Sequence, residues 1–84
     1  MNSREENLFL LVYIEKHIIE GNDHIGRMRR LIADGEHLRS DMTEAKDLLR
    51  HFMSTQAHRQ AQRKRVLREL RLSSLNPDIL QNLR

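Results

Sequence analysis

A heptad stripe runs through the first half of this chain. Leu11, Ile14, Ile18, Gly21, Ile25, Met28 and Ile32 recur in alternating steps of three and four. That spacing places them on one face of an α-helix. The register passes Gly21 and Gly26 without a slip. It predicts one helix over about 3–33, although each interior glycine costs about 1 kcal/mol relative to alanine. A break at "EGNDHIG" is the alternative.

Gly35 follows the last periodic residue and reads as the C-terminal cap. Asp41 and Glu44 then have the spacing of a capping box, with Asp in place of Ser or Thr. A second helix is predicted over about 42–72, with an inner stripe of Ala45, Leu49, Phe52, Gln56, Arg59, Arg63, Leu67 and Leu70. "LSSLNPDILQNLR" breaks that pattern. Asn76 can cap and Pro77 suits a first helical position. A short last turn of helix is expected there, within a mobile tail over 73–84.

Two long helices of similar length joined by a short turn make an antiparallel hairpin. Folding about residues 37–38 pairs positions whose numbers sum to about 75. Gly21 then faces Phe52 and Met53, where a missing side chain leaves room for a ring. The fold class is therefore all-α, a single helical-hairpin domain over 1–84. Composition agrees. With no Cys, three Gly, one Pro and 4% aromatic residues, a β sandwich lacks its turns and ring pairs. Disulfides and thiol chemistry are excluded.

A second apolar stripe remains: Leu8, Val12 and Ile19, spaced four and seven. Phe9 and Tyr13 point elsewhere again. One hairpin cannot cover all these faces, and a helix apolar nearly all round is buried. The expectation is a homodimer, a four-helix bundle with coiled-coil packing and Leu8, Val12 and Ile19 in its interface. A small core also favours association. A membrane-surface helix is the rival, but Glu5, Glu6 and Glu15 repel anionic lipid. The apolar run Leu8 to Ile14 is too short to span a bilayer. The first charges, Arg4, Glu5 and Glu6, do not make the positive start of a signal peptide. The expected location is the cytoplasm.

Charge is unevenly placed. Residues 1–57 hold eight Lys/Arg and ten Asp/Glu, and residues 58–84 hold seven and two, for a net charge of +3. In the hairpin register Arg63, Arg68 and Arg71 lie beside Glu5, Glu6 and Glu15. Arg27, Arg29 and Arg30 lie beside Asp41, Glu44 and Asp47. Acids at both helix starts and bases at both ends suit the macrodipole. The basic stretch "HRQAQRKRVLRELR" thus reads first as the complementary flank of a hairpin. Lys64, Arg68 and Arg71 face outward and are candidate nucleic-acid contacts, while Arg59 and Arg63 fall on the inward stripe. No aromatic is interleaved for base stacking. A non-specific accessory contact through 58–71 is the alternative function.

The five His include His17 and His24, seven apart, and His51 and His58, also seven apart. The register brings His17 to His58 and His24 to His51, with Glu20 and Asp47 nearby. Carboxylate and imidazole from facing helices make bundle metal sites, so these four His are the metal candidates. The spacing is not that of di-iron bundles, and surface His on a polar edge is the plainer reading; no metal or other cofactor is expected. Gln56, Arg59 and Arg63 interrupt an apolar stripe. They line a pocket or satisfy one another, Glu15 or Asn22, and so fix register. No nucleophile motif or phosphate loop is present, and no enzyme is expected.

With "EGNDHIGRMRRLIADG", "TEAKDLLRHF" and "TQAHRQAQRKRVLREL" in view, the chain resembles a group of short uncharacterised helical proteins from alphaproteobacteria. The matching residues are Glu20, Gly21, His24, Ile25, Arg27, Leu31, Ile32, Thr43, Glu44, Ala45, Leu48, Leu49, Phe52, Thr55, Gln56 and Ala57. They fall within about 18–70. Met28 stands where that group has Gln, and Arg59 where it has His, with His58 adjacent. The resemblance implies a helical fold and no known activity. The function expected is that of a small interaction or regulatory protein that binds another protein.

Overall fold

The computed structural model describes residues 3–73. Two helices, α1 (Ser3–His37) and α2 (Thr43–Ser73), pack along each other as a hairpin. α1 continues through Gly21 and Gly26 without a break. The inward stripe of α1 is that of the sequence, and that of α2 departs from it at Val66. α1 buries Ile14, Ile18 and Ile32, and α2 buries Gln56, Val66 and Leu70. Ile14, Ile18, Val66 and Leu70 form one cluster, with Leu11 packed against it. Val66 is only 3% exposed, yet the expected stripe passes through its neighbour Leu67. From Arg63 a step of three reaches Val66 and a step of four reaches Leu67. Both fall within the wide apolar face that a packed helix needs. The tail and the short last turn near Asn76 and Pro77 lie outside the described residues.

The turn differs from expectation in a specific way. α1 ends at His37, past Gly35, and Arg39 takes the left-handed conformation with φ of 60°. The Ser40 N–H donates to the Gly35 carbonyl at 2.8 Å and the Arg39 N–H to the Glu36 carbonyl at 2.9 Å. These two bonds make a Schellman end, which satisfies carbonyls left open at the helix terminus. Gly35 is therefore not the cap. Its φ is not positive, and its role is steric: a methyl there would collide with the Met42 sulfur. Met42 closes the turn by lying across the bare backbone.

Asp41 starts α2, but not through Glu44. The Thr43 N–H donates to Asp41 Oδ1 at 3.0 Å and the Thr43 hydroxyl to the same oxygen at 2.6 Å. The Met42 carbonyl accepts the first helical bond, from the Lys46 N–H. Met42 is thus the capping position and Asp41 precedes it, so the oxygen reaches two residues on rather than three. The hydroxyl and amide of Thr43 hold the Asp41 carboxyl below its ordinary 3.8, with help from the Lys46 charge.

Cross-helix pairs fix the register. Gln56 meets Ile18 and Asn22, His24 meets Phe52, and Arg4 donates to the Leu70 carbonyl. Their numbers sum to 74–78, around the expected 75. Of the flanking charges, Arg63 does line a shallow depression with Glu15, but the close ion pairs form elsewhere. Lys46 pairs with Glu36 across the turn at 3.4 Å. Arg27 pairs with Asp23, and Arg50 with Asp47, each within its own helix. Arg29 reaches the Met53 sulfur at 3.8 Å. A long side chain finds an acid three or four positions along its own helix more easily than one across the groove. These exposed pairs each add at most about 1 kcal/mol.

Arg39→Gly should stabilise the hairpin by about 0.5–1 kcal/mol. The left-handed strain it removes is roughly 1–2 kcal/mol, and the added freedom of the unfolded glycine returns part of that. Urea denaturation of the two proteins measures the difference. Asp41→Asn should lower the melting temperature at neutral pH. A carboxyl whose folded pKa lies below 3.8 stabilises fully above that value and loses the contribution as pH falls through the folded pKa. The difference in melting temperature between wild type and variant should therefore shrink as pH falls below 3.8 and through the folded pKa.

Candidate functional site

Midway along the hairpin the apolar stripes give way to a polar layer. Gln56, 6% exposed, is the buried polar side chain among the described residues. Its Nε2 donates to the Ile18 carbonyl at 2.5 Å and to Asn22 Oδ1 at 2.8 Å. Its Oε1 accepts from Arg59 Nη1 at 3.1 Å. A carboxamide has two donors and one carbonyl oxygen, so both ends of the group are engaged. No buried side-chain nitrogen or oxygen among the described residues lacks a partner.

Gly21 makes room for this layer. It faces Gln56 and Arg59, not Phe52 and Met53 as the sequence suggested. A methyl at Gly21 would collide with the Gln56 carboxamide and come within 2.9 Å of Arg59 Nη1. The correction amounts to one turn of α2. It has a physical reason: Gln56 can bond the Ile18 carbonyl and Asn22 across the groove, and a phenyl ring cannot.

On one flank of this layer lies an open cleft of about 370 Å³. His17 and His24 come from α1, and Phe52 and Arg59 from α2. His24 packs edge-on to Phe52, with centroids 4.3 Å apart and planes at 88°. His17 lies 4.3 Å from Tyr13 and 3.7 Å from Glu20. The cleft takes neither His51 nor His58. His51 instead lies 6.1 Å from the Phe52 ring, and His58 is exposed. Among the described residues, no three His, Asp or Glu gather in a way that would hold a metal.

The other sequence candidates are placed plainly. Lys64, Arg68 and Arg71 are exposed on α2, while Arg59 and Arg63 are half-buried along the groove. Leu8, Val12 and Ile19 stay in solvent, at 44%, 68% and 69%. Val12 and Ile19, with Glu15 and Lys16 between them, line a shallow depression on α1. Among the described residues no helix is long and apolar enough to cross a membrane.

The sequence singled out Gln56, Arg59 and the histidines separately and missed that Gly21 gathers several of them. The readable signal was a glycine on one inward stripe, matched by consecutive polar residues on the other. Comparison with protein families, curated proteins and solved structures finds no match.

Gly21→Ala tests the layer. Normally an alanine gains about 1 kcal/mol over glycine in a helix, and the end of a glutamine swings aside. This carboxamide is buried and bonded on both sides, and releasing a buried polar group costs about 1–3 kcal/mol per lost partner. Net destabilisation of roughly 1–2 kcal/mol is expected. Gly26→Ala, where a methyl would meet nothing within 4 Å, should show the opposite sign in the same denaturation assay.

Proposed function

We propose that this chain is a non-enzymatic interaction module that pairs with a second copy of itself and acts by binding another protein. The exposed apolar face of α1 carries this reading. Five apolar side chains are buried in the described hairpin, while Val12 and Ile19 are each about two-thirds exposed. Full burial of a Val, Leu or Ile side chain gains about 1.5–3 kcal/mol. Leu8, Val12 and Ile19 from two copies supply a second core of the kind a four-helix bundle has. The isologous pairing of a two-fold dimer lets one patch serve both copies.

Phe9 and Tyr13, 75% and 61% exposed, lie on a neighbouring face of α1. That pairing leaves them exposed, and they supply apolar and aromatic contacts for a different protein. Glu5, Glu6 and Glu20 border this surface and favour a basic partner.

Sedimentation decides the self-association. The wild type should behave as a dimer at micromolar concentration. Val12→Glu should be monomeric while keeping its helical circular dichroism, because Val12 is exposed in the single hairpin. Burying an unpaired carboxylate in an apolar interface costs several kcal/mol. A monomeric wild type at that concentration would overturn the pairing.

A further inference from the structure

We propose that the cleft above Gly21 binds the phosphate group of a small phosphomonoester, with Arg59 as the principal donor. Arg59 is half-buried, and its described hydrogen bond goes to the neutral Gln56 carboxamide. Among the described residues no carboxylate pairs with it. A guanidinium has five N–H donors, and one of them is engaged here. A partly desolvated cation without a counter-ion favours an incoming anion.

The surroundings select the type of anion. His17 and His24 stand on the α1 side of the same cleft, and Arg27 stands one turn beyond His24. Arg27 is held by Asp23 at 3.1 Å, so the donors this cleft offers are Arg59 from α2 and the two imidazoles from α1. A planar carboxylate is satisfied by one arginine fork, whereas a phosphate monoester offers three acceptor oxygens and up to two charges. The Phe52 ring forms an apolar wall, and about 370 Å³ leaves room for an organic remainder. The acid on this rim is Glu20, held by His17 at 3.7 Å and Lys16 at 3.9 Å. Gly21 opens the cleft, since a methyl there would crowd Arg59. The apolar face of Leu8, Val12 and Ile19 lies on the other flank of α1, so this site stands apart from the pairing proposed above.

The test is an NMR titration of the full chain with phenyl phosphate and, separately, inorganic phosphate at constant ionic strength. Saturable shifts are expected at Arg59 Nε–H and at the rings of His17, His24 and Phe52, with phenyl phosphate several-fold tighter. Arg59→Gln should weaken phenyl phosphate at least about tenfold, and Arg59→Lys should recover part of the loss, because lysine keeps the charge but not the fork. Arg50→Gln should leave binding unchanged. Circular dichroism checks that each variant is folded. If Arg59→Gln unfolds, His17→Gln provides the second reading, with a several-fold loss. No saturable shift up to about 20 mM of either probe would overturn the proposal. So would shifts centred on Lys64 and Arg68 that a short oligonucleotide reproduces, which would mark that ridge as the anion surface.

Discussion

The hairpin depends on one carboxamide. Gln56 is buried between two helices whose other facing residues are mostly apolar, and both its amide nitrogen and its carbonyl oxygen have partners. Two partners, the Ile18 carbonyl and Asn22, belong to the opposite helix. Hydrophobic contact is non-directional and would tolerate a slip of one heptad with little loss. A slip that moved Gln56 away from Gly21 would set a side chain where the carboxamide now lies, and each buried polar group left unmet costs about 1–3 kcal/mol. The apolar stripes thus supply attraction, and the carboxamide supplies register. Gly21 belongs to the same device, because any larger residue would occupy the space the amide needs.

Much of this architecture was legible in the residue order. The heptad stripe of α1 and the inner stripe of α2 gave two helices and their facing surfaces, since periodicity reports burial directly. The charge of Asp41 signalled a helix start. What failed to read were choices between adjacent solutions. Gly35 looked like a cap because glycine usually fills the left-handed position, yet a sulfur lying over it required the same absence of a side chain. Arg39 takes the left-handed backbone because the Schellman bonds fall there, and nothing in arginine announces that. The partner of Gly21 differed by one helical turn, because inward positions recur every three or four residues and a turn centre is known only to within about two.

The candidate cleft shows the same division. The polar residues that interrupt the α2 stripe were visible, and so was their capacity to satisfy one another. Their association with His17 and His24 follows from the register, which the Gln56, His24–Phe52 and Arg4–Leu70 contacts define together. The two flanks of α1 differ in chemistry as a result. One presents aliphatic side chains to solvent. The other presents imidazole and guanidinium groups around a glycine. Because the two surfaces sit on different sides of one helix, occupation of either leaves the other open.

The turn at Arg39 also sets the length of every loop that the hairpin closes. In an antiparallel hairpin the distance along the chain between facing residues grows steadily away from the turn. Met42 meets Gly35 close by, Gln56 meets Ile18 across 38 positions, and Arg4 meets Leu70 across 66. Each doubling of a closed loop costs only about 0.6 kcal/mol more, so the helices can zip from the turn outward with no large barrier at any rung. The carboxamide layer lies part-way along that path. The Ile14–Val66–Leu70 cluster lies farther from the turn than this layer, and the Arg4–Leu70 contact farther still.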